Sequence, residues 1–159
     1  MLVNYSPTPA FPGTKYAISY SLTRVFMLSA TDGWAAGSAQ EIIPGSDTGA
    51  ADIILHYTQG AWQELSSPSI DAGGLLDLFM VSPTEGWATG NSFLHYLNGV
   101  WTPVNVPGNS ASEFVNPQYI DMLSATNGWA TAQQSSGGGP IITIFLRYQH
   151  GAWQVFTNE

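Results

Sequence analysis

Short apolar runs that end in glycine-containing turns are the dominant pattern of this chain. Residues 25–30 form an apolar run with β-branched and aromatic members, and Asp32-Gly33 after it supplies the residue types that a tight hairpin turn requires. Apolar residues do not recur with a 3.6-residue period over ten or more positions, so we predict no substantial helix. The first unit is therefore predicted to form four short strands, at residues 25–30, 33–37, 53–58 and 61–65.

This four-strand unit occurs three times along the chain. Asp32-Gly33-Trp34 returns as Glu85-Gly86-Trp87 and as Asn127-Gly128-Trp129. The second unit predicts strands at 78–81, 86–90, 93–97 and 100–106, and the third at 120–123, 128–132, 141–148 and 152–156. All methionines after the first occupy one equivalent place, namely Met27, Met80 and Met122. Such a shared register indicates a repeat architecture, with units at about 23–66, 77–106 and 119–158.

The six tryptophans occupy two repeated positions, one in each of two motifs. They are Trp34, Trp62, Trp87, Trp101, Trp129 and Trp153. Their strict repetition at strand starts favours packing between neighbouring sheets over the stacking of sugars, because a large ring fills the space between two sheets. We expect all six to form the repeat core, with Trp34, Trp87 and Trp129 largely buried at equivalent places.

Three units of four strands fit either a β-trefoil or a β-propeller. The motifs Asp32-Gly33-Trp34-Ala35-Ala36-Gly37 and Tyr57-Thr58-Gln59-Gly60-Ala61-Trp62 resemble the repeat of photosystem II assembly-factor-like propellers, which are relatives of the Asp-box or BNR-type repeats. The box is degenerate, since Gln59, Asn98 and His150 stand where a full Asp box has Asp. The resemblance implies an all-β, propeller-type fold of three four-stranded antiparallel blades, with the trefoil as the alternative.

Composition narrows the classes of partner. Only 9% of the residues are charged and the net charge is -8, which argues against nucleic acid and against an anionic membrane surface. The chain has no cysteine for a disulfide or a thiolate metal site, and no apolar run approaches the roughly 18 residues that suggest membrane insertion. The start lacks the features of a signal peptide. We expect an exported or cell-surface bacterial protein whose signal lies outside this sequence.

Connections between the predicted strands differ sharply at the two ends of each sheet. One end has only tight turns, whereas the other has longer connections that differ from unit to unit, at residues 38–52, 66–77, 107–119 and 133–140. Recognition usually uses such variable loops on a repeated scaffold. The candidate ligand-binding residues at this end are Glu41, Asp47, Asp71, Asn91, Glu113, Tyr119 and Gln133.

No metal or cofactor is expected. His56 and His95 are repeat equivalents that Arg147 replaces in the third unit, and they lack the spacing of zinc ligands. The acidic residues in or beside the long loops form no calcium-binding ladder, and we interpret them as solubilising charge; they are Glu41, Asp47, Asp52, Asp71, Asp77, Glu113 and Asp121.

The leading functional hypothesis is a non-catalytic binding or scaffold module that recognises a peptide or protein with its long-loop end. A sialidase-like activity would require three arginines, and the chain has only Arg24 and Arg147. A carbohydrate-binding module is the alternative, and a glycoside hydrolase that uses loop carboxylates such as Asp71 and Glu113 ranks third.

Three propeller blades in a row would leave an apolar face uncovered at each end. We therefore expect either a homodimer that closes six blades or a part of a larger propeller. The domain is expected at 23–159. It follows an N-terminal segment, 1–22, in which residues 14–20 alternate like one additional strand.

Overall fold

A computed structural model describes residues 17–45, 50–65 and 73–157, and these residues form twelve β-strands and no helix. The strands of the first unit are β1 (Ala17–Met27), β2 (Gly33–Ile42), β3 (Ala51–Thr58) and β4 (Ala61–Leu65). The second unit contains β5 (Leu75–Ser82), β6 (Glu85–Gly90), β7 (Leu94–Leu97) and β8 (Val100–Pro103). The third contains β9 (Glu113–Ser124), β10 (Asn127–Ser136), β11 (Ile142–Gln149) and β12 (Ala152–Val155).

Each sequence unit forms its own four-stranded antiparallel sheet. The strand order follows the chain, as β1-β2-β3-β4, β5-β6-β7-β8 and β9-β10-β11-β12. The prediction of an all-β fold with three four-stranded antiparallel sheets is confirmed. A trefoil would require strands of different units to pair around one barrel, and the described residues show no such pairing.

The hairpin turn between the third and fourth strands has the same backbone conformation in every unit. Gln59, Asn98 and His150 have φ of 52°, 50° and 53°, and the glycine after each also has positive φ. Two consecutive residues with positive φ are typical of the type I′ turn, whose twist matches that of a hairpin. The degenerate box position therefore keeps its turn geometry although its residue type changes.

The repeated methionines pack on the repeated glycines. A Cβ atom added to Gly33, Gly86 or Gly128 would overlap the sulfur atom of the methionine in the same unit, at Met27, Met80 or Met122. Each glycine lies directly opposite its methionine in the register of the first two strands. This close packing accounts for the common register of the two residue types.

The first strand of the second sheet, β5, lies beside the first strands of the other two sheets, β1 and β9. The closest backbone approaches between sheets are those of β1 and β2 to β5, and of β5 and β6 to β9. Each first strand carries a β-bulge at an equivalent place, where Thr23, Leu76 or Gln118 has no partner in the register. The Thr23 hydroxyl donates to the Leu75 carbonyl oxygen at 2.8 Å, which ties the first sheet to the second.

Two apolar cores fill the spaces between consecutive sheets. Trp34 and Trp101 are buried between the first and second sheets, and Trp87 and Trp153 between the second and third. The remaining two tryptophans differ from the prediction, because Trp62 and Trp129 are only half-buried. They lie on the outer faces of the first and third sheets, where no further sheet of the described residues covers them.

Several predicted loop residues belong to strands. β2 continues to Ile42, β9 begins at Glu113 and β10 continues to Ser136, because hydrogen-bonded pairing persists beyond the apolar runs. Residues 17–20, predicted as part of an additional strand, form the start of β1 and pair with the end of β2. The rest of the 14–20 segment lies outside the described residues.

Candidate functional site

The histidines of the first two units each contact the acidic turn residue and the tryptophan of their own unit. His56 Nε2 lies 2.9 Å from Asp32 Oδ1, and its ring stacks on Trp34 with centroids 4.2 Å apart. In the second unit His95 lies 3.5 Å from Glu85 and stacks on Trp87 at 4.0 Å. These contacts explain why an acidic turn residue, a tryptophan and a histidine recur together.

Arginine takes the place of histidine in the third unit. The Arg147 guanidinium lies 4.6 Å from the centre of the Trp129 ring, which is cation–π geometry. Asn127 replaces the acidic residue of the other two units. The stacking on tryptophan is therefore kept while the charged partner is lost. Among the described residues, no group of three or more His, Cys, Asp or Glu side chains is placed to hold a metal ion.

The structure spreads the predicted ligand-binding residues over different elements. Asn91 lies in the turn after β6, Glu41 lies near the end of β2, and Glu113 begins β9. Tyr119 on β9 and Gln133 on β10 are exposed, and strand alternation places both on the outer face of the third sheet. Asp47 and Asp71 lie outside the described residues.

A continuous line of polar contacts crosses the loop end of all three sheets. Asp52 Oδ1 of the first sheet accepts a hydrogen bond from the Gly74 N–H at 3.1 Å, and the Gly74 carbonyl oxygen accepts one from the Asn91 N–H at 3.2 Å. Asn116 of the third sheet then donates from Nδ2 to Asn91 Oδ1 at 3.4 Å. We call Asp52, Gly74, Asn91 and Asn116 the loop-end polar track.

Two acceptor atoms of the track are buried without a hydrogen-bond donor. Asp52 is 4% exposed, and its Oδ2 has no partner among the described residues. Asn116 Oδ1 is in the same situation. Burial raises the pKa of the Asp52 carboxyl, while the nearby Ser92 hydroxyl and the Gly74 N–H, which donates to Oδ1, act in the opposite direction. A buried acceptor without a donor is costly, so an added donor at either atom would be stabilising.

A second buried carboxylate, that of Asp77, is fully engaged within the fold. It lies 3.1 Å from Arg24 Nε of β1, and it accepts hydrogen bonds from the N–H groups of Leu78 and Ile120, each at 2.9 Å. Asp77 thus joins the three central strands and offers no free atom to a ligand. The interpretation as solubilising charge is wrong for Asp52 and Asp77, because both side chains are buried.

The outer face of the third sheet carries an open apolar groove of about 500 Å³. Its aromatic lining consists of Tyr119, Trp129, Phe145 and Phe156. The Trp129 and Phe156 rings meet edge to face at 4.9 Å. The predicted residue Tyr119 is thereby placed among aromatic side chains instead of in a loop.

The outer face of the first sheet carries a smaller apolar groove of about 300 Å³. Its lining consists of Tyr20, Leu22, Val25, Ala35, Ile53, Leu55 and Trp62. This groove and the groove around Trp129 lie at opposite ends of the row of three sheets.

Comparison of the chain with protein-family models, with curated protein sequences and with solved structures gives no match. Within the described residues, no helix has the length and apolar character needed to cross a membrane.

Sequence reasoning missed three members of the loop-end polar track, namely Asp52, Gly74 and Asn116. Asp52 was assigned to the surface because aspartate is rarely buried without a partner. No sequence signal identified Asn116 as a site residue. It lies two residues before the bulge of β9, and the sequence does not show that this part of β9 lies beside Asn91 of the second sheet. The pairing of acidic turn residues with histidines was detectable, because both change together in the third unit.

Proposed function

We propose that this chain is a non-catalytic binding module of β-propeller type that recognises a peptide or protein segment at its loop end. The observation that carries the proposal is the loop-end polar track, in which buried acceptors of two different sheets lack donors within the described part of the chain. The resemblance of the repeat to propeller repeats and the approach of β5 to both β1 and β9 support the fold part of the proposal.

Peptides supply the complementary chemistry. A peptide segment offers backbone N–H groups and, in lysine or arginine, positively charged donors that match the carboxylate of Asp52. The net charge of -8 attracts such segments. The two arginines of the chain do not compete for the track, because Arg24 pairs with Asp77 and Arg147 stacks on Trp129. We therefore expect the preferred ligand to be a basic peptide segment.

A carbohydrate ligand is the second candidate. Exposed aromatic rings that stand beside polar groups are typical of surfaces that stack sugar rings, and Tyr119 and Trp129 line a groove together with Asp121 and Thr131. This candidate uses the outer face of the third sheet, whereas the peptide uses the loop end. The two proposals can therefore be separated by substitutions.

Selection of displayed random peptides on the immobilised protein, followed by calorimetric titration, tests the leading proposal. We expect enriched peptides to contain Lys or Arg, and Asp52→Asn to weaken their binding at least about tenfold, since hydrogen bonds between charged groups contribute about 1.5–3 kcal/mol. Asp121→Asn removes the same charge from the outer face of the third sheet and is the matched control, which should bind like the parent.

Three results would contradict the peptide proposal. They are failure to enrich any peptide, enrichment of acidic peptides, and equal weakening by Asp52→Asn and Asp121→Asn. A glycan array addresses the second candidate, which requires a bound sugar whose signal disappears in Tyr119→Ala and persists in Asp52→Asn.

A further inference from the structure

The two outer faces of the row of sheets correspond to surfaces that are covered elsewhere in the molecule. We call Trp129, Thr131, Phe145 and Phe156 on the third sheet the donor face. We call Val25, Met27, Leu55, Tyr57 and Trp62 on the first sheet the acceptor face. Each residue has an equivalent in the other units through the strand register. The internal contacts between sheets therefore show how each face packs when it is covered.

The donor face repeats the surface that the first and second sheets present to the sheet that follows. Trp34 and Trp87, the equivalents of Trp129, are buried, as is Phe93, the equivalent of Phe145. Phe145 itself is 52% exposed. A soluble protein seldom leaves such a set of aromatic rings uncovered.

The acceptor face shows the same contrast. Val25 is 55% exposed, whereas its equivalents Leu78 and Ile120 are buried in the two cores between sheets. Met27 is exposed, while Met80, at the same place in the second sheet, is buried. Within the described residues, the acceptor face thus has the residue types of an internal core without the sheet that covers one.

The receiving site for a tryptophan is already formed on the acceptor face. Between the first and second sheets, the Trp34 ring contacts Tyr96 and Trp101, whose centroids are 5.0 Å apart. Tyr57 and Trp62 on the acceptor face have their centroids 5.2 Å apart. The two spacings are nearly equal, so the pair on the acceptor face is already arranged like the pair that receives Trp34.

The same contact occurs between the second and third sheets. The Trp87 ring lies 5.1 Å from Tyr148 and 5.5 Å from Trp153. Two internal interfaces therefore use one geometry, in which a tryptophan of one sheet meets a tyrosine–tryptophan pair of the next. Trp129 is the third such tryptophan, and the pair of Tyr57 and Trp62 is the third receiving site.

A polar contact is repeated together with the rings. Thr89 of the second sheet donates from its hydroxyl to the carbonyl oxygen of Gln118, the bulge residue of the third sheet, at 2.9 Å. Thr131 occupies the place of Thr89 on the donor face, and Thr23 occupies the place of Gln118 in the first sheet. The donor face therefore matches the acceptor face in polar as well as apolar groups.

We propose that the donor face of one copy of this chain packs on the acceptor face of a second copy. The donor face of the second copy packs in the same way on the acceptor face of the first, which closes a ring of six sheets. The occupant of each face is a second copy because the chain itself supplies both complementary halves, at opposite ends of its row of sheets. Six sheets lie within the range of 4 to 8 blades that propellers use. A head-to-tail contact that closes after two copies leaves neither face exposed.

Light scattering on a size-exclusion column tests this pairing with single charges placed on each face. The parent chain is expected to have twice the mass of 17.0 kDa at micromolar concentration. Val25→Glu disables the acceptor face and Phe145→Glu disables the donor face. Each variant alone should dissociate to single chains, with a dissociation constant at least about tenfold higher than that of the parent. Val100→Glu, at an exposed valine of β8 outside both faces, is the matched control and should remain paired.

A mixture of the two disabled variants distinguishes head-to-tail pairing from other arrangements. One intact donor face and one intact acceptor face remain in the mixture, so dimers should reappear, held by a single interface. If each face instead pairs with its own copy, Val25→Glu or Phe145→Glu alone would stay dimeric, and the proposal fails.

Further results would also overturn the proposal. They are a single-chain mass for the parent, a series of masses above the dimer, and dissociation by Val100→Glu. Circular dichroism checks that each variant folds. A second pair of substitutions at exposed positions is Leu22→Glu, beside the acceptor face, and Tyr119→Glu, beside the donor face.

Discussion

Replacement of Trp87 by alanine is the most direct test of how the sheets are held together. The ring is 2% exposed, stacks on His95, and contacts Tyr148 and Trp153 of the next sheet. Truncation of a core tryptophan costs about 3–5 kcal/mol, and each aromatic pair contributes about 0.5–1.5 kcal/mol beyond its buried area. We expect Trp87→Ala to lower the free energy of unfolding by about 3–5 kcal/mol, a large part of the roughly 5–15 kcal/mol of a typical domain.

The equivalent substitution at Trp129 is the internal control. Its ring has the same place in the repeat but is only half-buried, so Trp129→Ala should cost about half as much when the chain is a monomer. Urea unfolding followed by far-UV circular dichroism measures both, because tryptophan fluorescence would change with the substitution itself. The protein concentration must be low enough for single chains, since pairing adds stability that depends on concentration.

Two outcomes would refute this reasoning. A loss below about 1 kcal/mol for Trp87→Ala would show that the ring does not fill the space between sheets. Equal losses for Trp87→Ala and Trp129→Ala in the monomer would show that burial does not govern the cost. Trp87→Phe should cost less than Trp87→Ala, because phenylalanine keeps an aromatic ring in the space and the indole Nε1 has no hydrogen-bond partner to lose among the described residues.

Three further predictions concern buried charge and close packing. Asp77→Ala should lower the free energy of unfolding by about 3 kcal/mol in urea titrations, because two backbone N–H groups lose their acceptor. Arg24→Ala should cost less than about 1 kcal/mol, since the Arg24 side chain is 43% exposed. Equal costs for the two substitutions would contradict this prediction. The pKa of Asp52 is raised in the folded state, so the folded chain binds the proton more tightly and this carboxyl lowers stability as pH rises from about 4. Asp52→Asn should remove this decrease. Parallel curves of unfolding free energy against pH for the two proteins would contradict the prediction. Gly86→Ala places a methyl group against the sulfur of Met80 and should cost about 1–3 kcal/mol, which an unchanged denaturation midpoint would disprove.

Tertiary structure decided which parts of the loop end lie together. Asn91 was predicted as a site residue, but Asn116, which donates to it, and Asp52, which is linked to it through Gly74, belong to other sheets and are far away in sequence. Their contact depends on how closely the central strands approach and on where the bulges shift the register. Pattern alone does not encode such distances, because a one-residue shift sends every side chain of a strand to the other face.

The strands, the hairpin turns and the threefold repeat were predictable from the sequence because they depend on local chemistry. Alternation and glycine placement define strands and turns within a few residues, and Gly86 with Met80 shows that close packing leaves a trace in the repeat. The burial of Trp34 and the exposure of Trp129 were not distinguishable, since the two residues occur in nearly the same motif. Their difference arises only because a second sheet follows the first and no described sheet follows the third. The position of a sheet in the row is a tertiary property, and it determines whether the same side chain is in the core or on the surface.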